Sequence, residues 1–165
     1  MTNRPAPSIR RIVTGHDQNG KAVVWIDGPA LRHNFPDDHV CATHLWVTDE
    51  TPADFMAAED AGARSRGTAP PAGGTAFAIV EIQPGNETPP LHRTDTLDYV
   101  ICLAGEVEMK LDGSSVAMKA GDVMIQRGTN HAWINCGSVP ARLAFVLVDG
   151  KPKREGSVAG AQNAR

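Results

Sequence analysis

PPLHRTDTLDYV, residues 89–100, alternates as a strand does, yet it carries polar groups where an ordinary core strand would place Val or Leu. Taken every second residue, His92, Thr94, Thr96 and Asp98 share one face, because successive side chains of a strand point to opposite sides. The other parity runs on as Leu97, Tyr99, Ile101 and Leu103 and is apolar. A strand with one apolar face and one face bearing an imidazole, two hydroxyls and a carboxylate predicts a sheet that packs on one side and lines a polar hollow on the other.

Working outward, the chain from Thr75 onward reads as β throughout. TAFAIVEIQPG, LDYVICLAGEVEMKLDG, SSVAMKAGDVMIQRG, HAWINCG and ARLAFVLVDG follow one another at short intervals, broken by Gly, Pro, Asp or Asn. That spacing predicts a sandwich or barrel. Upstream, IRRIVTG and KAVVWID flank HDQNG, and Asn19-Gly20 is a turn signal that predicts a β-hairpin at about residues 9–27. GPALRHNFPDD has neither period, whereas CATHLWVT alternates as a strand. TPADFMAAEDA is the one helix candidate, with Thr51 as N-cap, Pro52 at the first helical position and Asp54 in the first turn. Residues 62–74 are a loop by composition, and KPKREGSVAGAQNAR is expected to fray.

Composition bounds the function. At 165 residues with 41% hydrophobic content the chain can bury one core, and 16 Gly with 12 Pro argue for short strands and many turns. Sixteen Lys plus Arg against 19 acidic residues, net charge -3, provide no footprint for nucleic acid or an anionic membrane. The wide, odd spacing of Cys41, Cys102 and Cys136 argues against a disulfide framework; Cys102 and Cys136 fall in strand-like sequence and are expected to be buried packing thiols. MTNRPAPSIRR has no signal-like apolar segment, and no apolar run approaches the roughly 18 residues of a membrane span, so a cytoplasmic location is expected.

The polar face has a partner in GDVMIQRGTNHAWIN, residues 121–135, where His131, Trp133 and Asn135 share a parity. His92, Asp98 and His131 are then candidate convergent metal ligands. Two imidazoles and a carboxylate with vacant positions form the donor set of mononuclear non-haem iron, and they also suit zinc, manganese or nickel. Both segments resemble the paired motifs of the cupin superfamily, a double-stranded β-helix or jelly roll. The first reads Gly85, NETPPL, His92, Arg93, Thr94, DTL, Asp98, YVICLA, Gly105; the second reads Gly121, DVMI, Gln126, Arg127, Gly128, TN, His131, AWI, Asn135. Three positions depart from the family pattern. Thr94 stands for its second histidine, Asp98 for its glutamate and Gln126 for its proline.

The resemblance implies an all-β cupin barrel over residues 75–149. Residues 1–74 then form N-terminal strands and loops packing on the barrel or a dimer partner, and residues 150–165 a flexible tail. It implies one divalent metal ion, Fe(II) first, held by His92, Asp98 and His131, with the place of the lost imidazole at Thr94 open to substrate or dioxygen. Asp95 is the second choice of carboxylate, and Asp98 could instead orient an imidazole. Asp98, Thr94 and Thr96 are the catalytic candidates; Trp133, Arg127, Asn135 and Cys102 are the substrate-binding candidates, and Arg93 is taken as surface charge. The function expected is a metal-dependent oxidoreductase of dioxygenase type on a small acidic or aromatic substrate. A non-catalytic ligand-binding cupin, or a cupin lyase, isomerase or cyclase, is the alternative. The apolar parity of Leu97, Tyr99, Ile101 and Leu103 needs a cover, from the N-terminal hairpin or a second subunit, and a homodimer is expected.

Overall fold

The computed structural model describes residues 5–87 and 89–152. Near the N-terminus the chain reverses at Asp17–Gly20. The Asp17 carboxylate accepts the N–H groups of Asn19 at 2.8 Å and Lys21 at 2.9 Å, and Gly20 adopts φ +76°, a conformation open to a residue without Cβ. This turn joins β1 (Arg10–His16) to β2 (Ala22–Pro29) in a two-stranded antiparallel sheet, the hairpin that the sequence predicts.

The remaining strands are β3 (Arg32–Asn34), β4 (Val40–Thr48), β5 (Thr75–Ile82), β6 (Thr96–Ala104), β7 (Glu106–Leu111), β8 (Ser115–Lys119), β9 (Val123–Arg127), β10 (His131–Ile134) and β11 (Ala141–Asp149). They form a six-stranded sheet in the order β3-β4-β5-β11-β6-β9 and a three-stranded sheet in the order β10-β7-β8, with every pairing antiparallel. The chain passes from one sheet to the other between β6 and β7 at Gly105, φ +71°, where a Cβ would sit 2.8 Å from Ala141 Cα. Between the sheets, Ile82, Val100, Val107, Met109, Leu143 and Phe145 form the main core. A smaller cluster of Ala30, Leu45, Ile79 and Ala144, with Ile9 against it, lies on the opposite side of the large sheet. The β3–β4 segment, from the N-terminal part of the chain, is thus hydrogen-bonded into the barrel sheet itself.

Several expectations need correction. Residues 51–60 form no helix, and the helical turn nearby is a single 3-10 turn, Ala61–Ala63, capped by Asp60, which accepts the Gly62 N–H at 3.0 Å. A short helix needs a tertiary surface for its apolar face. Phe55 is 82% exposed and Met56 is also open, while the Asp54 carboxylate takes the Met56 N–H into a local turn. The quoted polar strand begins later than its alternation suggests: β6 starts at Thr96, and His92 is joined to its neighbour by an isolated bridge. GPALRHNFPDD contains the short strand β3. Cys41 and Cys102 are buried, but Cys136 lies past the end of β10 and is exposed. The frayed tail expected from residue 150 falls outside the described residues beyond Pro152.

Candidate functional site

His92 and His131 meet. Each donates its backbone N–H to the other's carbonyl at 2.9 Å, so two segments almost forty residues apart are locked face to face, and the imidazole centroids are 4.4 Å apart at 53°. The His131 ring is buried and its Nδ1 lies 2.9 Å from the Thr129 carbonyl, the geometry of an Nδ1–H donor that leaves Nε2 available. Burial holds the His131 imidazole below the ordinary histidine range, the Thr129 carbonyl opposes this, and the neighbouring His92 lowers it further. His92 stands in solvent, with Nδ1 3.4 Å from the Pro90 carbonyl.

Asp98 lies buried on the inward face of β6, opposite Gln126 of β9, whose amide donates to Asp98 Oδ2 at 2.7 Å. The second oxygen, Oδ1, is buried without a partner. So are Gln126 Oε1 and the Trp133 indole nitrogen. Burial pushes the Asp98 carboxyl above its usual range, and the Thr96 hydroxyl partly offsets this. Thr94 and Thr96 share a hydrogen bond of 2.7 Å between their hydroxyls. Trp133 sets its edge against Phe145 at 5.7 Å and against His131 at 6.3 Å, so it walls the interior beside the histidine pair.

The other candidates divide. Arg127 closes β9 and, with Arg93, Asp95, Thr96, Asn130 and Lys151, lines a cleft of about 980 Å³ at the end of the barrel where β6, β7, β9 and β11 terminate. Arg93 pairs with Asp95 at 3.3 Å. Asn135 is fully engaged with the chain: its amide donates to the Ile82 and Val139 carbonyls at 2.8 and 2.9 Å, and its Oδ1 accepts the Gly137 N–H at 2.8 Å. It therefore clamps backbone, assisted by Asn86, which donates to the Trp133 carbonyl and accepts the Asn135 N–H, each at 2.7 Å. Cys102 belongs to the core cluster, its Sγ 3.7 Å from the Ala104 and Gly105 carbonyls. In this arrangement the Asn135 amide is engaged with backbone and the Cys102 thiol lies in the core. Sequence reasoning passed over His44 and Arg66. His44 is buried with an unpartnered Nε2, and Arg66 has two unpartnered buried nitrogens. The alternation of His44 with Trp46 on a strand was the available signal; Arg66, in a loop, had none.

A metal requires a third donor. Among the described residues no group of three or more His, Cys, Asp and Glu side chains is placed to hold an ion. The imidazoles of His92 and His131 meet, while the Asp98 carboxylate is turned to Gln126. As the side chains stand, His92, Asp98 and His131 do not form the expected three-donor site.

Comparison with known proteins agrees with this architecture. A family model described as "Cupin domain" matches residues 78–148. A Neurospora crassa protein named "Cupin-domain-containing oxidoreductase srdD" is 35% identical over 89% of this chain and 80% of its own length. "Phomopsin biosynthesis cluster protein C'" of Diaporthe leptostromiformis is 34% identical over 91% of this chain and 85% of its own. The solved cupin domain of Schizosaccharomyces pombe Cnp3 superposes with a TM-score of 0.52 at 16% identity, covering 85% of this chain and 87% of that one, a likeness of fold alone. With the histidine pair, the inward carboxylate and the two-sheet barrel in place, the chain belongs to the cupin-domain family.

Proposed function

We propose that this protein is an oxidoreductase-type enzyme acting on a small acidic or aromatic molecule bound inside the barrel. The observation that carries this reading is a set of unpartnered polar atoms inside the barrel, Asp98 Oδ1 and Gln126 Oε1 between β6 and β9 and Trp133 Nε1 beside His131. A buried polar atom without a partner costs about 1–3 kcal/mol, a cost that a ligand able to bond with these atoms would relieve. The Trp133 N–H can donate to a substrate oxygen, the Gln126 carbonyl can accept a substrate hydroxyl, and His131 Nε2 can take or return a proton. The end cleft has a mixed lining, with Arg93, Arg127 and Lys151 beside Asp95 and Asp112. The oxidoreductase class follows the names of the relatives.

A divalent ion, Fe(II) first and Zn, Mn or Ni after it, is the cofactor that the family resemblance implies; bound, it would supply Lewis-acid or dioxygen chemistry. Because the described side chains as placed lack a third donor, the roles given above to Trp133, Gln126 and His131 stand without it.

The test is calorimetric binding of benzoate and benzyl alcohol to the parent, Trp133→Phe and Gln126→Leu proteins, followed by oxygen uptake on a panel of aromatic and carboxylic acids. Binding by the parent that weakens about tenfold in either variant supports the reading; a parent that binds neither probe overturns it. Elemental analysis of untagged protein decides the metal separately, since stoichiometric iron lost in both His92→Ala and His131→Ala would place the ion between the imidazoles.

A further inference from the structure

Arg10, Arg11, Arg64, Arg93 and Arg142 each face a carboxylate. Arg66 differs. Its Nη2 donates to the Thr68 carbonyl at 3.1 Å, but Nε and Nη1 are buried with no partner, and among the described residues no carboxylate pairs with it. Its neighbour is His44, which is only 8% exposed and has an unpartnered Nε2. Their proximity follows from the fold. His44 pairs with Arg32 across β3–β4, and the Arg32 Nε donates to the Ala63 carbonyl at 2.6 Å, which brings the chain leading to Arg66 over this edge of the sheet.

The register also settles which side His44 occupies. It stands opposite Ala78 of β5, on the parity of Val80 and Ile82 that faces the main core, and Ala78 is in turn opposite Phe145, the residue against which Trp133 packs. His44 therefore looks inward, across the small side chain of Ala78, toward the wall that carries Trp133. Burial first, and then the charges of Arg66 and His33, hold the His44 imidazole below the ordinary range, so at neutral pH it adds a hydrogen-bonding group and no second charge. The Arg66 guanidinium is part-buried, with its Nη2 contact exposed, and its buried Nε and Nη1 have no counter-charge to offset their desolvation.

We propose that Arg66 and His44 form an anion subsite on the inner wall of the barrel that takes the carboxylate of a small organic acid. One open guanidinium donor and the Nε2–H of a neutral imidazole can each meet one oxygen of a single carboxylate; Nε and Nη1 lie on different edges of the guanidinium and do not converge on one anion. The inference rests on the small-molecule reading above and specifies it: the acid group is held from the β3–β4 side, while Trp133 meets the rest of the molecule.

The experiment compares benzoate with its neutral counterpart, benzyl alcohol, on the full-length parent, Arg66→Gln and Arg66→Lys, with inorganic phosphate as a further probe. Expected are benzoate affinity reduced tenfold or more in Arg66→Gln and partly recovered in Arg66→Lys, benzyl alcohol affinity unchanged in both, and weaker binding of phosphate than of benzoate by the parent. Thermal melting without ligand guards against misfolding: Arg66→Gln is expected to melt no lower than the parent, since it removes a part-buried charge that has no counter-ion. Equal effects on both aromatic probes, no effect on benzoate, preference for phosphate, or a lowered melting temperature of ligand-free Arg66→Gln would each overturn the subsite. A parent that binds neither aromatic probe fails the function reading itself, a separate result.

Discussion

Asp98 is buried, accepts one hydrogen bond from Gln126 and keeps a second oxygen without a partner. With its carboxyl pushed above the usual range, the folded protein binds a proton there more tightly than the unfolded chain does. The sign follows: the stability contributed by this group is present below the unfolded carboxylate value and is lost as pH rises through the raised folded value. Asp98→Asn keeps an acceptor for the Gln126 amide and cannot ionise. In chelator-treated protein it is expected to exceed the parent in stability at pH 7, with the gap closing as the solution is made acidic. Urea unfolding of both proteins across pH checks this; a gap that is constant with pH would mean that Asp98 does not titrate. The presence of an inward acid at this position was legible from alternation alone. That it faces Gln126 and not the histidines was not, because the direction of a side chain within a barrel depends on the strand across from it.

At the scale of elements, the N-terminal hairpin is fastened to the barrel through Arg11. The Arg11 guanidinium donates to both oxygens of Asp60 at 2.7 and 2.6 Å and to the Leu45 carbonyl at 3.1 Å, so β1, β4 and the 3-10 turn meet at one side chain. Gly62 makes room for it: a Cβ there would collide with Arg11 Nη1 and the Leu45 carbonyl. Arg11 holds the Asp60 carboxyl below its usual range, with burial opposing, so the stability from this contact is present above the unfolded carboxylate value and lost as pH falls through the lowered one. Asp60→Asn is expected to cost about 1–3 kcal/mol at neutral pH, with the difference from the parent shrinking in strong acid. Hydrogen exchange of β1 and β2 amides should accelerate in the same variant. If the hairpin stays protected, the small cluster around Ile9 and Ala30 holds it without the ion pair. The hairpin itself was readable from Asn-Gly between alternating strands, whereas the anchor joins residues 49 apart in sequence and has no local signature. The same distinction explains residues 51–60, where good capping residues could not make a helix without a surface to receive it.

For the molecule as a whole, the outer face of β6 and β9 is open. Tyr99 is 45% exposed, Ile101 42% and Val123 72%, with Leu103 and Ile125 beside them, and Tyr99 pairs with Ile125 and Ile101 with Val123 across the two strands. Within one chain the hairpin does not cover this face. We propose that a second copy does, because a contiguous apolar patch on an edge-strand pair is a self-association surface when nothing else occludes it. Light scattering should give twice the monomer mass for the parent and the monomer mass for an Ile101→Glu, Val123→Glu double variant. A monomeric parent would sink the proposal. No helix among the described residues is long and apolar enough to cross a membrane.

What the sequence determined by itself was everything governed by short-range rules: the number and type of most strands, the hairpin turn at Asn19-Gly20 and the polar parity through Asp98; the pairing of His92 with His131 came from the family resemblance. The strands, the turn and the parity follow from period-two alternation and from turn residues whose preferences act over a few positions. Tertiary structure alone decided which polar atoms are left without partners inside the barrel, that Asn135 clamps backbone and Asp98 turns to Gln126, and that the charge of Arg66 reaches buried His44. Those outcomes depend on register between strands remote in sequence and on which groups remain unmatched after burial, and no local pattern encodes either.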